Sequence, residues 1–93
     1  MNENYFDEIN FERYLRDNQK IKSEGAISSR MSRARRISKI LRMSLDRVVE
    51  FDENMPNALD NIANYDTSGN LKNALRHYYK FKNGREYPKR KYE

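Results

Sequence analysis

The sequence predicts an all-α fold, a compact bundle of four to five short helices, and three observations lead there. Apolar residues recur at helical spacings of three and four along most of the chain. No segment alternates apolar and polar residues with period two beyond a few positions, and the Asn83-Gly84 pair follows a helical pattern instead of joining two strands. Helix-start residues precede the periodic segments and helix-stop residues follow them. Ninety-three residues allow one domain with one small core. Residues 1–84 form the helical domain in this reading, and 85–93, REYPKRKYE, form a basic mobile tail too polar to pack.

The first helix is expected at about 7–17, where Phe6, Ile9, Phe11, Tyr14 and Leu15 form a stripe and Asn4 or Asp7 can cap it. Gln19 to Lys22 make a polar connection, and Ser23 followed by Glu24 is an N-cap with a negative charge in the first turn. The second helix, 24–42, keeps Ile27, Met31, Ala34, Ile37 and Leu41 on one face for nearly five turns. Ser44 caps a short helix at 45–51 that buries Leu45, Val48, Val49 and Phe51, and Asp52, Glu53 and Asn54 interrupt it. Pro56 restarts the chain in a first turn, where proline is tolerated, and a helix to about 65 carries Leu59, Ile62 and Ala63. The last helix, 70–83, has Ser68 or Asn70 as its cap, Leu71, Ala74, Leu75, Tyr78 and Phe81 as its apolar side, and Gly84 as a left-handed stop. The expected core is Phe11, Leu15, Ile27, Met31, Ala34, Ile37, Leu41, Val48, Leu59, Ile62, Leu71, Leu75 and Tyr78.

Composition narrows the function. Charged residues make up 35% of the chain, and no run of 18 apolar residues exists, so no membrane span is expected. The segment MNENYFDEIN lacks the basic start and apolar stretch of a secretory signal, which leaves a cytoplasmic setting as the default. Without cysteine there is neither a disulfide framework nor a thiolate zinc site, and His77 is the one histidine. Catalysis needs a nucleophile or a metal with a base beside it. His77, between Arg76 and Lys80 in sequence, has no evident carboxylate partner and a positive neighbourhood that lowers its pKa. The sequence therefore predicts no enzyme and no cofactor.

The net charge of +5 hides an alternation. Residues 1–19 are acidic and 20–42 hold eight basic residues against Glu24 alone; 43–70 are acidic again, and 71–93 hold eight basic residues against Glu86 and Glu93. Side by side, the two basic blocks would make the positive face of a nucleic-acid binder; they would also simply attract the acidic blocks and help the helices pack. From Arg30 to Arg42 six basic residues occur without an acid, among the hydroxyls of Ser28, Ser29 and Ser32. Arginine suits bidentate contacts with phosphate or guanine, and serine hydroxyls support phosphate contacts. Against this stands the ordinary solvated polar face. In the last helix, Lys72, Arg76 and Lys80 form one i, i+4 row, whose mutual repulsion a polyanion would remove, with Lys82 beyond it. Tyr79 adjoins the row, where it could stack on that surface or serve as a core residue beside Tyr78.

These residues also carry a resemblance. The chain from Phe6 to Gly84 resembles the amino-terminal core-binding domain of tyrosine recombinases, the small SAM-like helical module that phage integrases place before their catalytic domain. In that family the second helix opens with a serine, then threonine and an aliphatic residue, then a tyrosine. Here Ser23 and Ile27 match, Ala26 stands for the threonine and Arg30 for the tyrosine. Further on, Ala34 stands for a leucine, Arg35 for a basic position and Ile37 for a phenylalanine, with Leu41 closing the pattern. Asn73-Ala74-Leu75-Arg76-His77-Tyr78-Tyr79-Lys80-Phe81 looks like the family's serine-alanine-leucine-arginine run and aromatic pair, and Pro88-Lys89-Arg90 resembles the linker beyond it. The resemblance implies a non-catalytic module of a phage or mobile element whose second and last helices face duplex DNA. The family's catalytic histidine and arginine are two residues apart, whereas Lys80 follows His77 by three, so no recombinase active site is assigned.

The expected DNA-contact set is Ser29, Arg30, Ser32, Arg33, Arg35, Arg36, Lys39, Lys72, Arg76, Tyr79, Lys80, Lys82, Lys89 and Arg90. The expected assembly is a monomer or weak dimer. The alternative partner is a host protein or nucleoprotein complex, to which the chain would bind as an adaptor or inhibitor through the acidic stretch from Asp46 to Asp66 and the tyrosines of the tail.

Overall fold

A computed structural model describes residues 6–18 and 23–88, which form five helices: α1 (Glu8–Asn18), α2 (Glu24–Leu41), α3 (Leu45–Glu50), α4 (Asn54–Ala63) and α5 (Asn70–Asn83). No strand occurs among the described residues. Local signals set several helix ends. Ser23 accepts from the Ala26 amide and Ser44 from the Asp46 amide, so each satisfies an amide that has no partner inside its helix. At the N-terminus of α1 the Asp7 carboxylate receives the Asn10 amide at 3.4 Å; the alternative cap, Asn4, lies outside the described residues. Gly84 ends α5 with φ 73°, as expected.

α2 ends one residue early. Arg42 takes the left-handed conformation at φ 57° while its amide returns to the Ser38 carbonyl at 2.8 Å. α4 starts two residues before Pro56, against expectation. Asn54, expected in a break, donates its side-chain amide to the Arg47 carbonyl and its backbone amide to Phe51, which joins α3 to α4 through a tight turn. Pro56 then falls third in the helix, where a backbone N–H would have no helical acceptor. The start of α5 is organised from a distance: the Asp66 carboxylate accepts from the amides of Ser68 and Leu71 and from the Ser68 hydroxyl. Ser68 accepts in turn from the Asn70 amide, and Gly69, at φ 87°, makes the turn.

α2 and α5 each touch the other four helices and together form the centre of the bundle. Leu75, Tyr78 and Tyr79 on α5 are wholly buried. Phe11 of α1 meets Tyr78 with ring centroids 5.0 Å apart and Phe81 at 5.4 Å; Phe6 approaches Tyr78 at 5.8 Å. The Tyr78 hydroxyl accepts from the Asp7 amide at 2.8 Å and donates to the Asp46 carboxylate, tying α1, α3 and α5 together.

The expected core is buried except for Leu41, which lies half-exposed at its edge. It also contains Phe6, Leu45, Val49, Met55, Ala58, Ala74 and Tyr79. Met55 is buried because α4 begins earlier than expected. Ile9 and Phe51 are corrections: Ile9 is 75% exposed, about 200° around α1 from Phe11. Phe51 follows α3 in extended conformation and is 55% exposed. The segment expected to be a mobile tail folds back as far as Pro88. Tyr87 packs edge-on to Tyr79 at 5.2 Å, Arg85 pairs with Asp52 at 3.0 Å and Glu86 with Lys80 at 3.9 Å, and these contacts anchor a strap of polar chain. Residues 89–93 lie outside the described residues.

Candidate functional site

Basic side chains of α2 and α5 converge along the seam between the two helices. Two adjoining clefts, one in that seam and one between α5 and the returning strap, share Asn73 and His77. The smaller, about 160 Å³, is lined by Arg30 and Arg33 of α2 and by Asn70, Asn73, Ala74 and His77 of α5. The larger, about 480 Å³, is lined by Asn73, Arg76, His77 and Lys80 of α5 and by Glu86, Tyr87 and Pro88 of the returning strap. Lys80 Nζ lies 3.9 Å from Glu86, which among the described residues is the one carboxylate lining these clefts.

The expected contact residues divide into groups. Arg30, Arg33, Arg76 and Lys80 line the clefts. Ser29, Ser32, Arg36 and Lys39 are exposed along α2, and Lys72 is half-exposed on α5. The field of Arg36 reaches Asp66, whose carboxyl is held below its usual range by the Ser68 hydroxyl first and by the Leu71 and Ser68 amides next.

Two members face elsewhere. Arg35 donates from Nε to Glu8 at 2.8 Å and brings a terminal nitrogen within 2.6 Å, clasping α1. Lys82 lies 3.4 Å from Asp7 and 3.5 Å from Asp46, on the side of α1 and α3. Each stands two residues, about 200° of helix, beyond a cleft residue, Arg33 and Lys80 respectively, so neither shares the cleft surface.

Tyr79 is the third correction. Its ring is wholly buried beneath the strap, which removes it from any stacking surface, and its hydroxyl donates to Asp52. Burial chiefly, and the Asp52 bond next, push the phenol pKa up. Lys89 and Arg90 lie outside the described residues.

Asn70, Asn73 and His77 are absent from the expected set although their spacing of three and four is legible as a helical row leading to Lys80. His77 is half-buried. Desolvation is the main cause of its lowered pKa, reinforced by Arg30 and Lys80 and opposed by Glu86. The imidazole is therefore mostly neutral at pH 7. A half-buried neutral imidazole ringed by cations and amides can receive an anion.

Among the described residues no group of three or more His, Asp or Glu side chains is arranged to hold a metal ion, and no helix is long and apolar enough to cross a membrane. Compared with known protein families, with curated proteins and with solved structures, the chain matches none.

Proposed function

We propose that the protein is a non-catalytic module that binds double-stranded DNA, built on the plan of the tyrosine-recombinase core-binding domain, with α2 and α5 against the duplex. One observation carries this reading: Arg30 and Arg33 of α2 line one cleft, and Arg76 and Lys80 of α5 line the cleft that adjoins it across Asn73 and His77. Placing like charges along two adjoining clefts is unfavourable in the free protein, and a phosphodiester backbone laid across them reverses the sign of that interaction. Arg36, Lys39, Ser29 and Ser32 extend the same basic helix outward and supply further phosphate donors.

The rival reading, an adaptor for a basic protein partner, draws on the acidic stretch from Asp46 to Asp66. Two of its carboxylates already have cationic and phenolic partners inside the fold: Asp46 with Tyr78 and Lys82, Asp52 with Tyr79 and Arg85. A third, Asp66, caps the start of α5. Stability accounts for these three acids, which weakens their case as a docking face.

The test is duplex binding followed by fluorescence anisotropy over a salt series. Affinity should fall steeply as salt rises, and replacing Arg33 and Arg36 together by alanine should lower the slope of log affinity against log salt by about 0.9 for each phosphate that is no longer neutralised. A folded protein with no duplex affinity at about 50 mM salt, where phosphate contacts are strong, would overturn the proposal.

A further inference from the structure

His77 is the only histidine in the chain and forms part of the wall of both clefts. In the smaller cleft it shares the wall with two guanidinium groups and two side-chain amides, each able to donate hydrogen bonds, and none of the described carboxylates lines that space. The volume of about 160 Å³ is several times the roughly 30 Å³ share of a water molecule and can admit a phosphate group with some of its hydration. A neutral imidazole is an odd neighbour for so many donors, because it offers at most one acceptor nitrogen. An imidazolium would add one more donor to the same anion.

We propose that the α2/α5 cleft is a phosphate site with His77 as one of its ligands: the imidazole takes a proton from solvent as the phosphate enters and donates a hydrogen bond to a phosphate oxygen. This inference rests on the nucleic-acid reading above and deepens it, naming the phosphodiester as the bound group and the proton as its coupled partner. The charged and titratable groups that line the two clefts with the imidazole are Arg30 and Arg33 from α2, Arg76 and Lys80 from its own helix, and Glu86 and Tyr87 from the strap. In the free protein burial, Arg30 and Lys80 together outweigh Glu86 and keep the ring neutral. A phosphate neutralises those cations and places negative charge beside the ring, so the balance reverses. Linkage then requires duplex affinity to rise as pH falls, by at most about tenfold per pH unit for one proton. The change lies between the pKa of the bound form and that of the free form, which is below 6.5.

Because there is one histidine, its ring protons report the titration without assignment by mutation. The experiment follows them by NMR across pH at about 50 mM salt for the protein alone, with a saturating short duplex and with inorganic phosphate. Duplex anisotropy over the same pH range, for the wild type and His77→Gln, accompanies it. An upward shift of the His77 titration with duplex, and an affinity that climbs toward acid in the wild type and stays flat in His77→Gln, supports the proposal. Duplex binding that leaves the titration unmoved overturns it while the DNA-binding reading stands. A shift with inorganic phosphate but no duplex affinity supports the phosphate cleft and overturns the DNA-binding reading. No response to either ligand overturns both.

Discussion

The hydroxyl of Tyr79, buried in α5, donates to the carboxylate of Asp52 at 2.5 Å in the turn between α3 and α4. Arg85 reaches the same carboxylate at 3.0 Å and lies 5.3 Å over the Tyr79 ring. Asp52 therefore joins the core helix, the α3–α4 turn and the returning strap at one point. Its own pKa is lowered by the Tyr79 hydrogen bond first and by Arg85 second.

Tyr79→Phe removes that bond and keeps the ring. Because the Asp52 side of the bond retains access to water, the loss should be about 0.5 to 1.5 kcal/mol, the net worth of one hydrogen bond. A urea midpoint equal to that of the wild type would show that the bond contributes nothing.

Acid should destabilise the fold in two stages. The His77 pKa is depressed in the folded state, so its contribution is fully present above the ordinary value of 6.5 and is lost as pH falls from there through the folded value. Asp7, Glu24, Asp52 and Asp66 are also depressed, by Asn10, Arg16, Tyr79 and Ser68 respectively as leading partners. Their contributions persist above 3.8 for the aspartates and 4.5 for the glutamate, then vanish as pH falls through the folded values. Thermal midpoints measured against pH should show both declines, and His77→Gln should remove the first alone.

Arg42→Gly should stabilise the protein by about 1 kcal/mol, since a side-chain-bearing residue at φ 57° carries a conformational cost that glycine does not. The gain belongs in the denaturant midpoint with an unchanged slope. Destabilisation would mean that the Arg42 side chain contributes more than its backbone conformation costs.

Leu75→Ala should cost about 2 to 5 kcal/mol, because Leu75 is wholly buried on α5, one of the two central helices. A loss below about 1 kcal/mol would mean that the surrounding side chains collapse into the space.

Helix identity is legible in the sequence wherever the determinant is local. Ser23, Ser44 and Gly84 act within a turn of their own positions, and the Ile27–Met31–Ala34–Ile37 stripe needs no distant partner to declare its face. The early start of α4 depends on Asn54 reaching the Arg47 carbonyl, a contact that propensity does not encode. Tyr79 reads equally well as surface or core until Asp52, 27 positions away, accepts from its hydroxyl and the returning strap covers its ring. The site divides in the same way. Its cations can be counted from sequence, but Glu8 claims Arg35 across 27 positions and Asp7 claims Lys82 across 75, and both pairings arise from packing.

The central position of α5 also governs when this chain can fold during synthesis. Leu71, Leu75, Tyr78 and Tyr79 supply the middle of the core, and α1 keeps its aromatic face against Tyr78 and Phe81. Until Asn83 has cleared the ribosome exit tunnel, α2 can gather α1, α3 and α4 around it, but the side of the core that α5 fills stays open. Phe11 therefore lacks its Tyr78 and Phe81 partners up to that moment, and the core of the nascent protein closes only when α5 arrives.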